Sequence, residues 1–483
     1  MLNGNQLVSI GFRHVLDALE LLTPMGAELA RKPKYYSRDE QELLCGEQDN
    51  ISKLMQAAKD NTSEVNALMR LMMPLKDIKR SVERCGETVL TEVELFELKR
   101  FLLQLRLIAP AYKALNISLT GIDIFDMPEA LDIIDPDGTR SPSFYVSDRH
   151  SPKLASIRAE RKSIDERLRI ASASAYGFDS NEAEALRLRR TELAAEEEGE
   201  SARLRAVISE ALSVYRQDML QIIASLGRLD FSLAKARLAV DKSAVLPRVG
   251  AECFVMSAMT NPYFEEALSA RGHSFVPVSL RLLHGSTVIT GANMGGKSMA
   301  IKTLALNCML AMCGFAVFAE SAELPMLDDI YLLSEDREDA EAGLSSFGGE
   351  IKAFDSMLRE TEHMVSPLVL LDEFARGTNP HEGAALVRAA AKLFNKRGSA
   401  YAVIATHFDG VAKLGAMHYR VAGLSNVSLE KLLSELKSGN DALAKHMDYG
   451  LYPVAPTEEP PRDAVTICRA LGIKQEFDEL IDD

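Results

Sequence analysis

Apolar residues recur at helical spacing through the first half of the chain and give way to short β-branched runs in the second. Val15, Leu16, Ala18, Leu19, Leu21 and Leu22, then Ile51, Leu54, Met55 and Ala58, mark helical faces separated by a break at Thr23-Pro24-Met25-Gly26. Thr91 with Glu94 three residues on predicts a capping box and a helix start. An extended passage rich in Asp, Gly and Pro follows from Ile117 to Asp148, with Phe144-Tyr145-Val146 read as a short strand or buried linker. From Pro152 to about Val240 the pattern is helical again and dominated by Glu, Arg, Ala and Leu, as in antiparallel arms or coiled-coil pairs; a plain helical bundle is the simpler alternative. Breaks are expected at 172–179 and at Glu196-Glu197-Glu198-Gly199-Glu200. Beyond Leu246 the period changes. Ser286–Thr290, Ile330–Leu333, Leu368–Asp372 and Tyr401–His407 alternate with helices, which predicts a mostly parallel sheet with crossover connections. The last fifty residues read as a helix-rich acidic tail interrupted by Pro453, Pro456, Pro460 and Pro461.

These shifts predict four segments: a helical core over 1–150, a long helical lever or arm over 151–245, an α/β domain over 246–425, and a helical acidic tail over 426–483 that closes it. A chain of 483 residues with 47% hydrophobic and 26% charged residues has room for two or three cores. No apolar run approaches a membrane span, and the N-terminus lacks a signal-peptide pattern, so no membrane partner and a cytoplasmic location are expected. The six cysteines show no C-x-x-C pairing and read as small core residues. The net charge of −15 argues weakly against a general polyanion binder. So does the arm: residues 172–200 hold eight acidic and three basic side chains, which makes a negative tip if that stretch is the tip.

The chemistry concentrates in the second half. Thr290-Gly291-Ala292-Asn293-Met294-Gly295-Gly296-Lys297-Ser298 fits G-x-x-x-x-G-K-[ST], between an apolar strand and a helix. The glycines let backbone amides turn toward phosphate oxygens, and the helix N-terminus adds its positive dipole end. Gly291, Asn293, Met294, Gly295, Gly296, Lys297 and Ser298, with Met299 next in line, are the candidate nucleotide-binding residues. Lys297 reaches the β- and γ-phosphates, and the Ser298 hydroxyl is a candidate Mg²⁺ ligand. Leu368 to Glu373 is an apolar strand ending in two carboxylates. Asp372 is the second candidate Mg²⁺ ligand, opposite Ser298, and Glu373 the group that orients or deprotonates an attacking water. Ala405-Thr406-His407 ends another apolar strand; His407 can hydrogen-bond a γ-phosphate or its water, or be a plain surface histidine at a strand exit. Ser345-Ser346-Phe347-Gly348-Gly349-Glu350 opens a helix, either as an ordinary cap or as an anion site that completes a partner's pocket.

Together these segments resemble the DNA mismatch repair MutS family of ABC-type ATPases. The resemblance rests on Thr290–Ser298, Ser345–Glu350, Leu368–Thr378 and Ala405–His407, above all on Asn293-Met294 inside the loop and Arg376-Gly377-Thr378 after the two carboxylates. It implies an α/β P-loop ATPase preceded by an all-α core and lever with a long antiparallel helical arm. It further implies ATP and Mg²⁺ as cofactors and a homodimer or hetero-oligomer joined through the ATPase domains. Ser345 then contacts the γ-phosphate in trans, Glu373, Lys297 and His407 form the catalytic set, and Phe275 lies against adenine. Leu22–Gly26, Leu75–Gly86, Leu229–Ala236 and Met447–Leu451 extend the likeness outside the motifs. The family's mismatch-reading domain has no counterpart in the sequence, the arm is short for a DNA clamp, and Ala292, Met299 and Asn379-Pro380-His381-Glu382 depart from the family's usual residues.

The expected activity is ATP hydrolysis coupled to movement of the helical arms. Short MutS-like chains of this layout resemble a subunit of the lysine 5,6-aminomutase reactivase, so the favoured partner is a protein client, a cobalamin-dependent aminomutase, with DNA disfavoured. The alternatives are a DNA-binding ATPase of mismatch repair or recombination type, and a dimerisation module that does not hydrolyse nucleotide.

Overall fold

The computed structural model describes residues 2–140, 145–173, 180–291, 296–334, 346–423 and 448–455. The chain divides into two compact units: residues 1–19, 33–55 and 235–483 form one, and residues 20–32 and 56–234 form the other.

Among the described residues the first unit holds ten strands: β1 (Arg248–Val249), β2 (Phe254–Met259), β3 (Val278–Leu282), β4 (Gly285–Thr290), β5 (Ser321–Leu324), β6 (Ile330–Leu333), β7 (Leu368–Asp372), β8 (Tyr401–Ala405), β9 (Met417–Gly423) and β10 (Asp448–Pro453). Six of them make one sheet in the order β10-β9-β4-β8-β7-β6. Its pairs are parallel except for β10 against β9. Every residue of β4, β7 and β8 is buried, as expected of parallel strands covered on both faces. Val288, Val369, Leu371 and Ile404 from these strands pack with Val387, Ala391 and Phe394 of the helix Pro380–Arg397. The helix Lys297–Met312 is buried along nearly its whole length. The expected parallel sheet is therefore present, with the expected strands in it.

Three features differ from the sequence reading. A second sheet, in the order β1-β5-β2-β3, was not anticipated; its strands are short, and only β3 shows a clean alternation of buried and exposed residues. Residues 1–19 and 33–55 belong with the sheets, not with a helical core over 1–150. Buried Asn261 donates to the Ile10 carbonyl at 3.0 Å, and Phe12 meets Phe315 edge-on at 6.4 Å. Lastly, the tail expected to be helical contributes β10, because Leu451 can pair against Val421 and add an edge to the sheet. Residues 426–447 and 456–483 of that tail lie outside the described residues.

In the second unit every described element is helical. Thr91 caps the helix Glu92–Ala114 with the expected capping box: its side chain accepts from the Glu94 amide, and Glu94 accepts from the Thr91 amide at 2.9 Å. The helices Pro152–Ala173 and Ser180–Leu212 pair antiparallel, as their ion pairs record. Arg158 meets Glu197 at 2.8 Å, Glu160 meets Arg189 at 2.9 Å and Arg167 meets Glu182 at 2.8 Å, so partner numbers fall on one helix as they rise on the other. Ile157 and Ile164 face Leu186 and Leu193, each pair seven residues apart, in a heptad-like seam.

No break occurs at Glu196–Glu200, since Ser180–Leu212 is one helix. A single Gly199 costs a helix only about 1 kcal/mol. The neighbouring acids are anchored by Arg158 and Arg161 on Glu197, and by Ser151 and Arg203 on Glu200. Glu197 and Glu200 therefore lie opposite the start of the first helix, far along the pair from residues 174–179. Residues 174–179 and Phe144 lie outside the described residues, and Tyr145-Val146 is not a strand.

Two segments that resembled the family from far apart in sequence meet here. The Asp230 carboxylate accepts from the Leu22 amide, the Thr23 amide and the Thr23 hydroxyl, the last two at 2.7 Å. Thr23 in turn caps Pro24–Arg31, so the expected break is a helix start. Asp230 is 1% exposed, and deleting its side chain strands buried donors. Asp230→Ala is expected to lower stability by about 2–4 kcal/mol, read as a lower urea midpoint. An unchanged midpoint would mean these bonds contribute nothing net.

Candidate active site

Strand register brings the motif ends together. Ile289 of β4 and Asp372 of β7 both stand opposite Ala405 of β8. The line continues past the strand ends: the Thr406 amide donates to the Ile289 carbonyl at 3.0 Å and the Glu373 amide to the Ala405 carbonyl at 3.1 Å. The phosphate loop, the carboxylate pair and His407 therefore leave the sheet side by side, at the carboxyl ends of parallel strands where such sheets bind ligands.

Gly296 is the residue before the helix Lys297–Met312, and its φ of +88° is one that glycine adopts without cost. That turn sends Lys297 back over the loop. Its Nζ is buried, donates to the Gly291 carbonyl at 2.7 Å and lies 3.5 Å from Glu373. Burial lowers the Lys297 pKa, and Glu373 opposes that shift. The Ser298 hydroxyl donates to Asp372 Oδ1 at 3.0 Å. Asp372 is 7% exposed, and burial pushes its carboxyl above the usual range while the Ser298 hydroxyl pulls it down. Asn293, Met294, Gly295 and Ser345 lie outside the described residues.

A hydroxyl and a carboxylate side by side are the hard oxygen donors that Mg²⁺ takes. Among the described residues no three His, Cys, Asp or Glu side chains converge as a metal site. Ser298 and Asp372 thus fit a cation that brings its remaining ligands with it, from phosphates and water.

Glu373 stands between two cations, with Arg376 on its Oε2 at 2.9 Å and Lys297 near its Oε1. Its φ is +55° and that of Ala375 is +62°, so two non-glycine residues of one short loop are left-handed. Such strain persists only where surroundings enforce it, and it gathers at functional sites. One enforcing contact is Gly383 of the helix Pro380–Arg397, where a Cβ would stand 2.7 Å from both the Ala375 carbonyl and the Phe408 ring. His407 is exposed at the strand exit and lies within electrostatic reach of Glu373, Lys297 and Arg376; partial desolvation by its neighbours lowers its pKa, and Glu373 opposes that shift.

Phe275 and Met299 line a separate cleft beside Gly296. Tyr449 of β10 and His273 line it too. Sequence reasoning did not assign Tyr449 to a site, although an aromatic residue in the short Met447–Leu451 run was a signal for it. It also missed His418, whose Nε2 meets the Thr290 hydroxyl at 2.8 Å directly before the loop. Nothing in the local pattern around His418 marks that contact. No described helix is long and apolar enough to cross a membrane.

Residues 287–469 match the family model described as MutS domain V. The chain is 32% identical over 298 residues to an endonuclease MutS2 of Thermomicrobium roseum, covering 59% of this chain and 37% of that protein. It is 37% identical over 190 residues to the DNA mismatch repair protein MutS of Thermus aquaticus, covering 39% of this chain and 22% of that protein. An endonuclease MutS2 of Enterococcus faecalis is 30% identical over 246 residues, covering 50% and 30%. The chain thus spans little more than a third, at most, of the length of these curated relatives.

Because the folded Asp372 carboxyl titrates above its unfolded value, it favours the fold at low pH, and that contribution is lost as pH rises through the folded pKa. Nucleotide-free Asp372→Asn is therefore expected to unfold at a higher temperature than the unsubstituted chain at pH 7. The gap should narrow as pH falls toward the ordinary carboxylate range. A lower unfolding temperature for the variant at pH 7 would contradict the burial account.

Proposed function

We propose that this chain, which belongs to the MutS family through its domain V, is an ATP hydrolase whose nucleotide cycle serves a transaction on DNA. The observation that carries the hydrolase reading is the 3.0 Å contact of Ser298 with Asp372 beside Lys297 and Glu373, at strand ends in register. Gly291, Asn293, Met294, Gly295, Gly296 and Lys297 cradle the phosphates, and Lys297 exchanges its bond to the Gly291 carbonyl for phosphate oxygens. Ser298 and Asp372 hold Mg²⁺, which when bound with the triphosphate neutralises its charge. Glu373 orients the attacking water and takes its proton on a carboxylate oxygen. His407 offers a ring nitrogen to the γ-phosphate or to that water. The cleft of Phe275, Met299 and Tyr449 takes the adenine.

Two domains V pair head to tail, and Ser345 of each contacts the γ-phosphate held by the other. The antiparallel helices of the second unit act as the lever that nucleotide binding moves.

The DNA part of the proposal draws on the relatives, which are named as DNA mismatch repair MutS and endonuclease MutS2. These names favour the DNA reading over the aminomutase client expected from the sequence, and the preference is reversed accordingly. Part of the acidic charge expected at an arm tip lies elsewhere. Glu182, Glu192, Glu196 and Glu197 are engaged by arginines along the helical pair, and the last two lie away from the 174–179 connection.

Lys297→Ala is expected to abolish ATP turnover; ordinary hydrolysis by that variant would remove the site assignment. With a non-hydrolysable ATP analogue and Mg²⁺, the solution mass should double, whereas a monomer at saturation would contradict pairing through the nucleotide. Duplex DNA is expected to bind with an affinity that falls steeply with salt. No binding in low salt, with turnover intact, would leave the ATPase and remove DNA as its substrate.

A further inference from the structure

The loop after β7 is strained at two residues, and something must hold it. Arg376 and Lys297 hold the Glu373 side chain, but side-chain ion pairs do not fix a backbone in the left-handed region. Besides the Glu373 amide bond to Ala405 and the close approach of Gly383, a further backbone restraint comes from another helix. Glu350, in the first turns of the helix Ser346–Glu360, accepts the Ala375 amide on Oε1 at 3.1 Å. Phe354, one turn further along the same helix, stacks on Phe374 with centroids 4.5 Å apart and planes at 28°. Ala375 and Phe374 are buried at 0% and 1% exposure, so the amide has no water to turn to if Glu350 is removed.

We infer that Glu350 is a positioning residue for hydrolysis: by holding the Ala375 amide it keeps Glu373 in the backbone conformation that aims its carboxylate into the nucleotide site. In this role it acts through Glu373. Its carboxylate serves as an oxygen acceptor, so an amide of the same reach can replace it. The stacked Phe354 and Phe374 tie the same helix to the same loop, so a shift of this helix moves Glu373. The inference rests on the ATPase reading above.

The test compares Glu350→Ala and Glu350→Gln in the full chain. Each is measured for ATP turnover, ATP·Mg²⁺ affinity and amide hydrogen exchange across residues 373–376. Glu350→Ala is expected to lower kcat about tenfold to a hundredfold, as misplacement of a reacting group does, with nucleotide affinity within about twofold of the unsubstituted chain. Exchange across 373–376 should accelerate. Glu350→Gln is expected to restore kcat and protection. Unchanged kcat or unchanged exchange in Glu350→Ala overturns the inference. So does a Glu350→Gln variant as slow as Glu350→Ala, or a loss of affinity as large as the loss of rate. If the unsubstituted chain itself has no turnover, the ATPase reading falls and the positioning role with it. That failure is distinguishable, because exchange at 373–376 still reports whether Glu350 holds the loop.

Discussion

A carboxylate buried at the end of a parallel strand, with the Ser298 hydroxyl donating to it, is the constraint on which the site depends. Asp372 is costly where it sits: burial raises its pKa, and hydrophobic residues fill the strand behind it. The rest of the site answers that cost. Lys297 is carried to the neighbourhood by a glycine turn, Ser298 follows on the next position of the same helix, and strand register fixes how far apart they stand. A one-residue slip of β8 against β4 or β7 would separate the loop from the carboxylates, so the hydrophobic packing of Val288, Leu371 and Ile404 is also what sets the chemical geometry.

The same logic extends to the loop that follows. Glu373 and Ala375 occupy a conformation that non-glycine residues avoid, and contacts from two helices enforce it: Gly383 on one side, Glu350 and Phe354 on the other. The strain is thus tied to Glu350, the last residue of a motif segment that the sequence suggested as either an ordinary helix cap or an anion site. The end of the helix Arg216–Asp241 belongs to the first unit. Its Lys235 is 2.9 Å from Glu47 and donates to the Cys313 carbonyl at 3.2 Å, just past the end of Lys297–Met312. That helix end is where a cation is favoured by the dipole.

Much of this was legible in the sequence, for a physical reason. The loop wording, the apolar strands and the two carboxylates are local signals, and β4, β7, β8 and the helix after the loop appeared where those signals put them. The capping box at Thr91 is equally local. What escaped was non-local. The strand β10 forms because β9 offers an edge, and the four-stranded sheet forms from runs too short to show a period. The docking of residues 1–19 depends on Asn261 and Phe315, hundreds of positions away. The expected break at Glu196–Glu200 failed because local repulsion among acids was outweighed by arginines on the facing helix. The left-handed pair at Glu373 and Ala375 left no mark at all, since neither residue is a glycine.

The central claim is that Glu373 directs water onto a nucleotide that the other residues hold. Glu373→Gln separates those roles, because it keeps the size and reach of the side chain and removes its basicity. Single-turnover hydrolysis measured beside ATP·Mg²⁺ binding is the most direct examination. The account predicts binding within about twofold of the unsubstituted chain and a hydrolysis step slower by about a hundredfold or more, the usual contribution of a general base. Hydrolysis at an unchanged rate with binding intact would contradict it.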